Sequence, residues 1–237
     1  MADYEMTRES ALSAPALADE RVRAFLRAVY GWMGAGLAIT AVTAVFIASS
    51  PSLVATIATN RLLFWGLVIA QLGIVLVLSA RVQQLQTGTA SMLFIAYSAL
   101  TGVTISFVLL AYTGESVAST FLVAAGMFGA TAFYGTTTRR SLAGVGQFFF
   151  MGLIGLLLAS LVGVFWHNDG LQFMISLVGV IVFTGLAAYD AQRLKAMALA
   201  LPDGQIGSSA IVGALALYLD FINLFLFLLR FLGSRRD

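Results

Sequence analysis

Beyond residue 22 the chain is a series of long apolar runs separated by short polar breaks. Seven runs, at roughly 25–49, 62–80, 89–113, 118–137, 145–166, 171–191 and 208–231, each come close to the ~20 residues a helix needs to cross ~30 Å of hydrocarbon. They lack period-two alternation and are too long and uniformly apolar for barrel strands, so helices are the spanning form. Turn chemistry supports the boundaries: "SSPS" at 49–52, "TGES" at 113–116, "HNDG" at 167–170 and "LPDG" at 201–204. The pattern predicts an all-α polytopic membrane protein, a seven-transmembrane helix bundle spanning 23–233. Residues 1–22 are polar and of mixed charge, with no apolar core of a cleaved signal peptide. They read as a cytosolic, loosely ordered N-terminal tail. Residues 234–237 form a short C-terminal tail.

Composition agrees with this reading. Sixty per cent of the 237 residues are hydrophobic and ten per cent are charged, and the mean hydropathy is +0.95, beyond what a water-exposed surface tolerates. The absence of cysteine excludes disulfides, thiolate metal sites and cysteine nucleophiles. A net charge of +2 does not indicate nucleic acid, because the basic residues are scattered through the breaks, where they set topology. With the N-terminus cytosolic, the inner side collects Arg8, Arg21, Arg23, Arg27, Arg81, Arg139, Arg140, Arg193 and Lys195. The outer side holds Arg61, Arg235 and Arg236, with Arg230 at the edge. That asymmetry favours the N-in orientation. Seven full spans then place the C-terminus outside, whereas a half-inserted last helix would return it. Small residues in "GWMGAG" (31–36) and "GQFFFMGLIG" (146–155) suit close helix packing.

Two carboxylates fall inside apolar runs: Asp190 in "FTGLAAYDAQRLK" and Asp220 in "LALYLDFINLFLFLLRF". Asp203 marks the apex of the turn between them, and at ~1.5 Å per residue the two carboxyls reach the same depth within ~6 Å, each ~20 Å from the apex. Two carboxylates meeting in low dielectric cannot both ionise cheaply, so the pair is expected to titrate as a unit with a shared proton. Loss of that proton creates repulsion and also a two-carboxylate oxygen site for a hard cation such as calcium. Asn223 and Tyr189 are the expected supporting polar side chains. Two structural readings stand beside this one: an i,i+3 ion pair of Asp190 with Arg193, and a hydrogen-bond knot of Asp220 with Asn223 or Tyr218. Intramembrane carboxylates are functional by default because their insertion is costly. A paired-aspartate intramembrane protease is disfavoured, since no Gly-x-Gly-Asp precedes Asp220 and no Pro-Ala-Leu follows it; the chain reads as a non-enzyme. His167 reads as a loop residue and Glu115 as a solvated acid at the outer mouth.

"AAYDAQ" and "LALYLDFINLFLFLLRFLG" resemble the signature of the Bax inhibitor family of membrane proteins. "FLRAVYGWMGAGLAIT" and "YSALTGVTISFVLLAYTG" resemble the same family, so that the likeness covers about residues 24–233. The resemblance implies a pH-sensitive calcium leak with Asp190 and Asp220 as a hydrogen-bonded pair. It also implies an arginine latch from the second span, which maps onto Arg81, equally readable as a positive-inside anchor. The seventh helix is expected to be central. For a bacterial member the expected location is the inner membrane. Calcium and protons are the expected partners, calcium as transported ion and not as cofactor, within the lipid bilayer. Two alternatives stand beside the leak: a non-conducting regulator binding a membrane protease or other integral protein, and a proton-coupled transporter. The ending "GSRRD" departs from family members with a lysine-rich tail.

Overall fold

The structure, a computed structural model, describes residues 2–81, 84–166, 168–201 and 206–236, with side chains described from Leu17 onward apart from Val164. His167, Asp237 and the apex of the "LPDG" turn with Asp203 lie outside the described residues. Among the described residues eight helices follow in order: α1 (Ala2–Ala48), α2 (Pro51–Thr59), α3 (Arg61–Ala80), α4 (Thr87–Ala111), α5 (Gly114–Thr137), α6 (Ala143–Phe165), α7 (Asp169–Ala200) and α8 (Ile206–Leu232). Seven are long and apolar enough to span a membrane, the first over Leu17–Ala48. The backbone is helical from Ala2, where the composition of residues 1–22 predicts a loosely ordered tail. The sequence pattern also misses α2, a nine-residue helix after the first span with Pro51 in its first turn. Proline suits that position because the first helical N–H has no partner to lose.

Side-chain caps fix three helix starts. Asn60 accepts from Leu63 N (3.1 Å), Thr113 from Ser116 N (3.3 Å) and Asn168 from Leu171 N (3.2 Å), each satisfying a backbone N–H left free in the first turn. All three lie at the end of the bundle that carries the chain's C-terminus, called the C-side below. The N-side carries the start of the first span and the end of α7, joined by Arg21 Nη2 donating to the Leu201 carbonyl (2.9 Å).

α8 is the central element. It packs against α7, α1, α5 and α4, and it buries residues on every face, among them Ile211, Leu217, Tyr218, Leu224 and Leu229. α1 pairs with α4, and α7 packs against both α5 and α6. Close approach depends on glycine at two crossings. A Cβ at Gly102 would come within 2.7 Å of the Thr40 carbonyl oxygen, and one at Gly135 would run into the Ala188 backbone. Of the small-residue stretches, Gly36 packs on Phe94 and Ser98 and Gly146 on Tyr189, whereas Gly31, Gly34 and Gly155 face open space. α3 lies at the rim against α4 and α2, and Gln71 Nε2 ties it to the Leu100 carbonyl (3.1 Å). Such a bond holds helices together where no hydrophobic drive acts between them. The rim is strongly apolar: Leu62 is 87% and Phe165 83% exposed, a surface suited to lipid.

α8 crosses the whole bundle. Its last residues meet the α4–α5 turn through an antiparallel bridge between Tyr112 and Arg235, with Thr113 N donating to the Ser234 carbonyl (3.1 Å). The two ends of the chain therefore lie on opposite sides, and the half-inserted alternative for the last helix does not apply.

Candidate functional site

α7 and α8 run antiparallel as neighbours, and their facing sides bring Asp190 and Asp220 together with the carboxyls in hydrogen-bonding reach. Asp220 is 5% exposed and sits midway along α8. Its Oδ2 has no hydrogen-bond partner among the described residues. A buried carboxyl beside a second carboxyl is satisfied by a proton held between them, by a cation or by water in the crevice.

Both structural alternatives can be judged from their partners. Arg193 Nη1 lies 4.0 Å from Asp190 Oδ1, at the outer limit of an ion pair and with the Arg193 side chain 64% exposed. The contact exists, but solvent weakens it, and Asp190 faces Asp220 at the same time. The hydrogen-bond knot around Asp220 is not built. Asn223 Nδ2 donates to the Leu219 carbonyl (2.8 Å), and the Tyr218 hydroxyl pairs with Thr40 Oγ1 (2.6 Å) across the bundle.

The pair lies in a crevice of ≈ 1100 Å³ that also takes in Tyr189, Arg193, Asn223, Gln147 and Ser209, with Ser79 of α3 on its far wall. Tyr189 is held by packing, its ring lying against the bare face of Gly146. On the C-side of the carboxylates the same seam closes. Phe183 and Phe227 stack at 5.8 Å, and Phe227 fills the space over Gly179. Past this aromatic pair is a polar pocket of ≈ 460 Å³ with Asp169, Gln172, Ser176, Arg230 and Arg235. Along the α7–α8 seam lie in turn a largely apolar crevice holding the two carboxylates, the stacked Phe183–Phe227 pair and a second, more polar pocket.

Arg81 lies elsewhere. It is exposed at the C-terminal end of α3, its backbone N–H on the Val77 carbonyl, and the guanidinium beside Asp190 is that of Arg193. Glu115 sits exposed in the first turn of α5 on the C-side. Among the described residues no group of three or more His, Asp or Glu is assembled, so a cation at the pair would draw on two carboxylates, the Asn223 amide and water.

Residues 22–237 match the family described as "Inhibitor of apoptosis-promoting Bax1". The chain belongs to the Bax inhibitor family. It is 49% identical over 218 residues to the inner membrane protein YbhL of Escherichia coli K12, covering 91% of this chain and 93% of that one. An uncharacterised protein of Borreliella burgdorferi is 44% identical over 215 residues, covering 90% and 93%. One from Deinococcus radiodurans is 44% identical over 219 residues, covering 92% and 93%. This Bax inhibitor family chain is an integral membrane protein with relatives matched over nearly their whole length.

A second buried polar cluster is invisible to motif reading. On the opposite face of α8, the Tyr218 hydroxyl and Thr40 Oγ1 pair at 2.6 Å, and Thr40 donates to the Ser98 carbonyl (2.8 Å). Tyr97 and Phe94 pack edge-on to Tyr218. The only sequence signal is a tyrosine two residues before Asp220, which helix geometry turns to the other side.

Proposed function

We propose that this protein is a pH-sensitive calcium or cation leak of the bacterial inner membrane, N-terminus cytosolic, in which the Asp190–Asp220 pair holds either a shared proton or a cation. The carrying observation is the meeting of the two carboxyls in the crevice, with Asp220 Oδ2 left without a donor among the described residues. The proton form keeps α7 and α8 together. The cation form replaces the proton with oxygen coordination, and passive flux follows when the Phe183–Phe227 plug yields, as hydrophobic constrictions do in channels. Residence in the inner membrane is supported by the stated location of YbhL. The Arg81 latch requires α3 to move over the crevice that Ser79 borders, because Arg81 points to solvent in this conformation.

The test is calcium flux into liposomes containing only this protein, followed across pH. Wild type should leak passively with a clear pH dependence, and Asp220→Asn and Asp190→Asn should each lose most of it while still inserting. The double variant should be no less pH-sensitive than either single, because a pair that titrates as a unit loses nothing further on the second change. Arg81→Ala should raise flux at neutral pH if the latch forms, and leave it unchanged if Arg81 only anchors the span. Absence of flux at every pH returns the protein to a non-conducting regulator, and concentrative uptake to a proton-coupled transporter.

A further inference from the structure

α1 and α5 both flank α8 and leave a groove between them on the face away from the aspartates. Two cavities make it up, ≈ 450 Å³ toward the N-side and ≈ 770 Å³ toward the C-side, and they share Leu37 and Phe121. Phe221, Ile222 and Phe225 of α8 form the floor, and small residues such as Gly34, Ala41, Ala118 and Gly129 keep the walls low. The C-side cavity follows α1 from Leu37 to Ala48, a rise of ~16 Å at ~1.5 Å per residue. That is the depth of one leaflet in a ~30 Å hydrocarbon core.

The C-side end of the groove lies under Arg236. The chain after α8 is stitched to the α4–α5 turn: Thr113 N donates to the Ser234 carbonyl (3.1 Å), Ser234 N to Ser116 Oγ (2.9 Å) and Arg236 N to the Ala111 carbonyl (3.1 Å). These bonds fix the backbone that carries the guanidinium at the rim of the membrane. Among the described residues no carboxylate lines either cavity.

We propose that this groove is a binding site for one anionic phospholipid, its acyl chain between α1 and α5 and its phosphate on Arg236. A guanidinium binds phosphate in a bidentate, charge-assisted way, and a one-leaflet apolar slot ending at that guanidinium matches a phospholipid in length and in charge. The site is independent of the aspartate pair and of any leak.

The experiment places full-length protein in lipid nanodiscs with phosphatidylglycerol carrying an acyl-chain diazirine, then maps the label and counts retained lipid by native mass spectrometry. Wild type should retain one phosphatidylglycerol and label α1 and α5 within the C-side cavity. Arg236→Ala should weaken retention about tenfold, the loss of one charge-assisted contact. Ala41→Phe, projecting into the groove, should abolish it, and Ala118→Leu provides a milder block should that variant fail to insert. Arg235→Ala, which borders the other C-side pocket, should retain lipid as wild type does. Unchanged retention in both Arg236→Ala and the groove-filling variants overturns the proposal. So does equal retention of phosphatidylcholine, or a groove that cross-links to a second polypeptide in place of lipid.

Discussion

Asp220 and Tyr218 stand two residues apart on the central helix and face opposite ways, each in buried polar company. For Tyr218 the company is complete. Tyr218→Phe leaves Thr40 Oγ1 still donating to the Ser98 carbonyl, so it should cost about 1 kcal/mol, the net value of one hydrogen bond. Thr40→Val removes both Thr40 bonds, leaving the Tyr218 hydroxyl only Thr101 within reach, and should cost more, about 1–3 kcal/mol. Thermal unfolding in detergent ranks the two, and an equal or reversed order would show that the hydroxyl pair does not hold α1 to α8. For Asp220 the company is incomplete, because the facing group is a second acid. On the proposal that the pair shares a proton, a cation entering it must displace that proton, so calcium binding should release protons and should tighten as pH rises, since fewer protons then compete. Titration calorimetry in buffers of different ionisation enthalpy reads that release directly. Release that persists in Asp220→Asn would assign the cation to another site. Asp190 and Asp220 were legible in the sequence because a charge inside an apolar run stands out. The Thr40–Tyr218 bond was not, because hydroxyls are ordinary in membrane helices and only the packing of α1 against α8 joins residues so distant in sequence.

The helices themselves were legible for a simple reason: in hydrocarbon every backbone group must be satisfied within its own segment, so length and apolarity mark each span. Which helix meets which was not, apart from the central place of α8 and the α7–α8 hairpin that a short turn dictates. α3 and α6 frame the crevice through Ser79 and Gln147, and no periodicity in either helix announces that role. The plug belongs to this scale as well. Gly179 on α7 leaves the space that Phe227 on α8 fills, and Phe183 stacks on it one turn nearer the aspartates. Phe227→Ala should open this part of the seam and raise calcium flux severalfold at every pH while leaving its pH dependence intact, because the carboxylates are untouched. Flux that stays at the wild-type level would mean that the proposed path does not follow the α7–α8 seam between the two pockets.

At the scale of the whole molecule, an odd number of spans must put the two chain ends on opposite faces of the membrane, and the bridge between Tyr112 and Arg235 places the C-terminal end beside the α4–α5 turn. The N-side holds nine basic residues in and around its breaks against four on the C-side, and that asymmetry, not net charge, sets orientation. The N-in orientation proposed above puts the N-side in the cytosol, the aspartate crevice on the cytosolic face and Arg236 with the lipid groove in the outer leaflet. A C-terminal alkaline phosphatase fusion should be active in a bacterial host and a C-terminal green fluorescent protein fusion dark, since the first folds only outside the cytosol and the second only within it. Moving the basic residues tests the cause as well as the outcome. Replacing Arg139 and Arg140 in the α5–α6 connection by serine removes two of the nine and should lower the fraction of correctly oriented chains without inverting all of them, because the first span and its flanking Arg21, Arg23 and Arg27 remain. A fluorescent C-terminal fusion in the wild type would reverse the orientation, moving the crevice to the outer face and the Arg236 site to the inner leaflet.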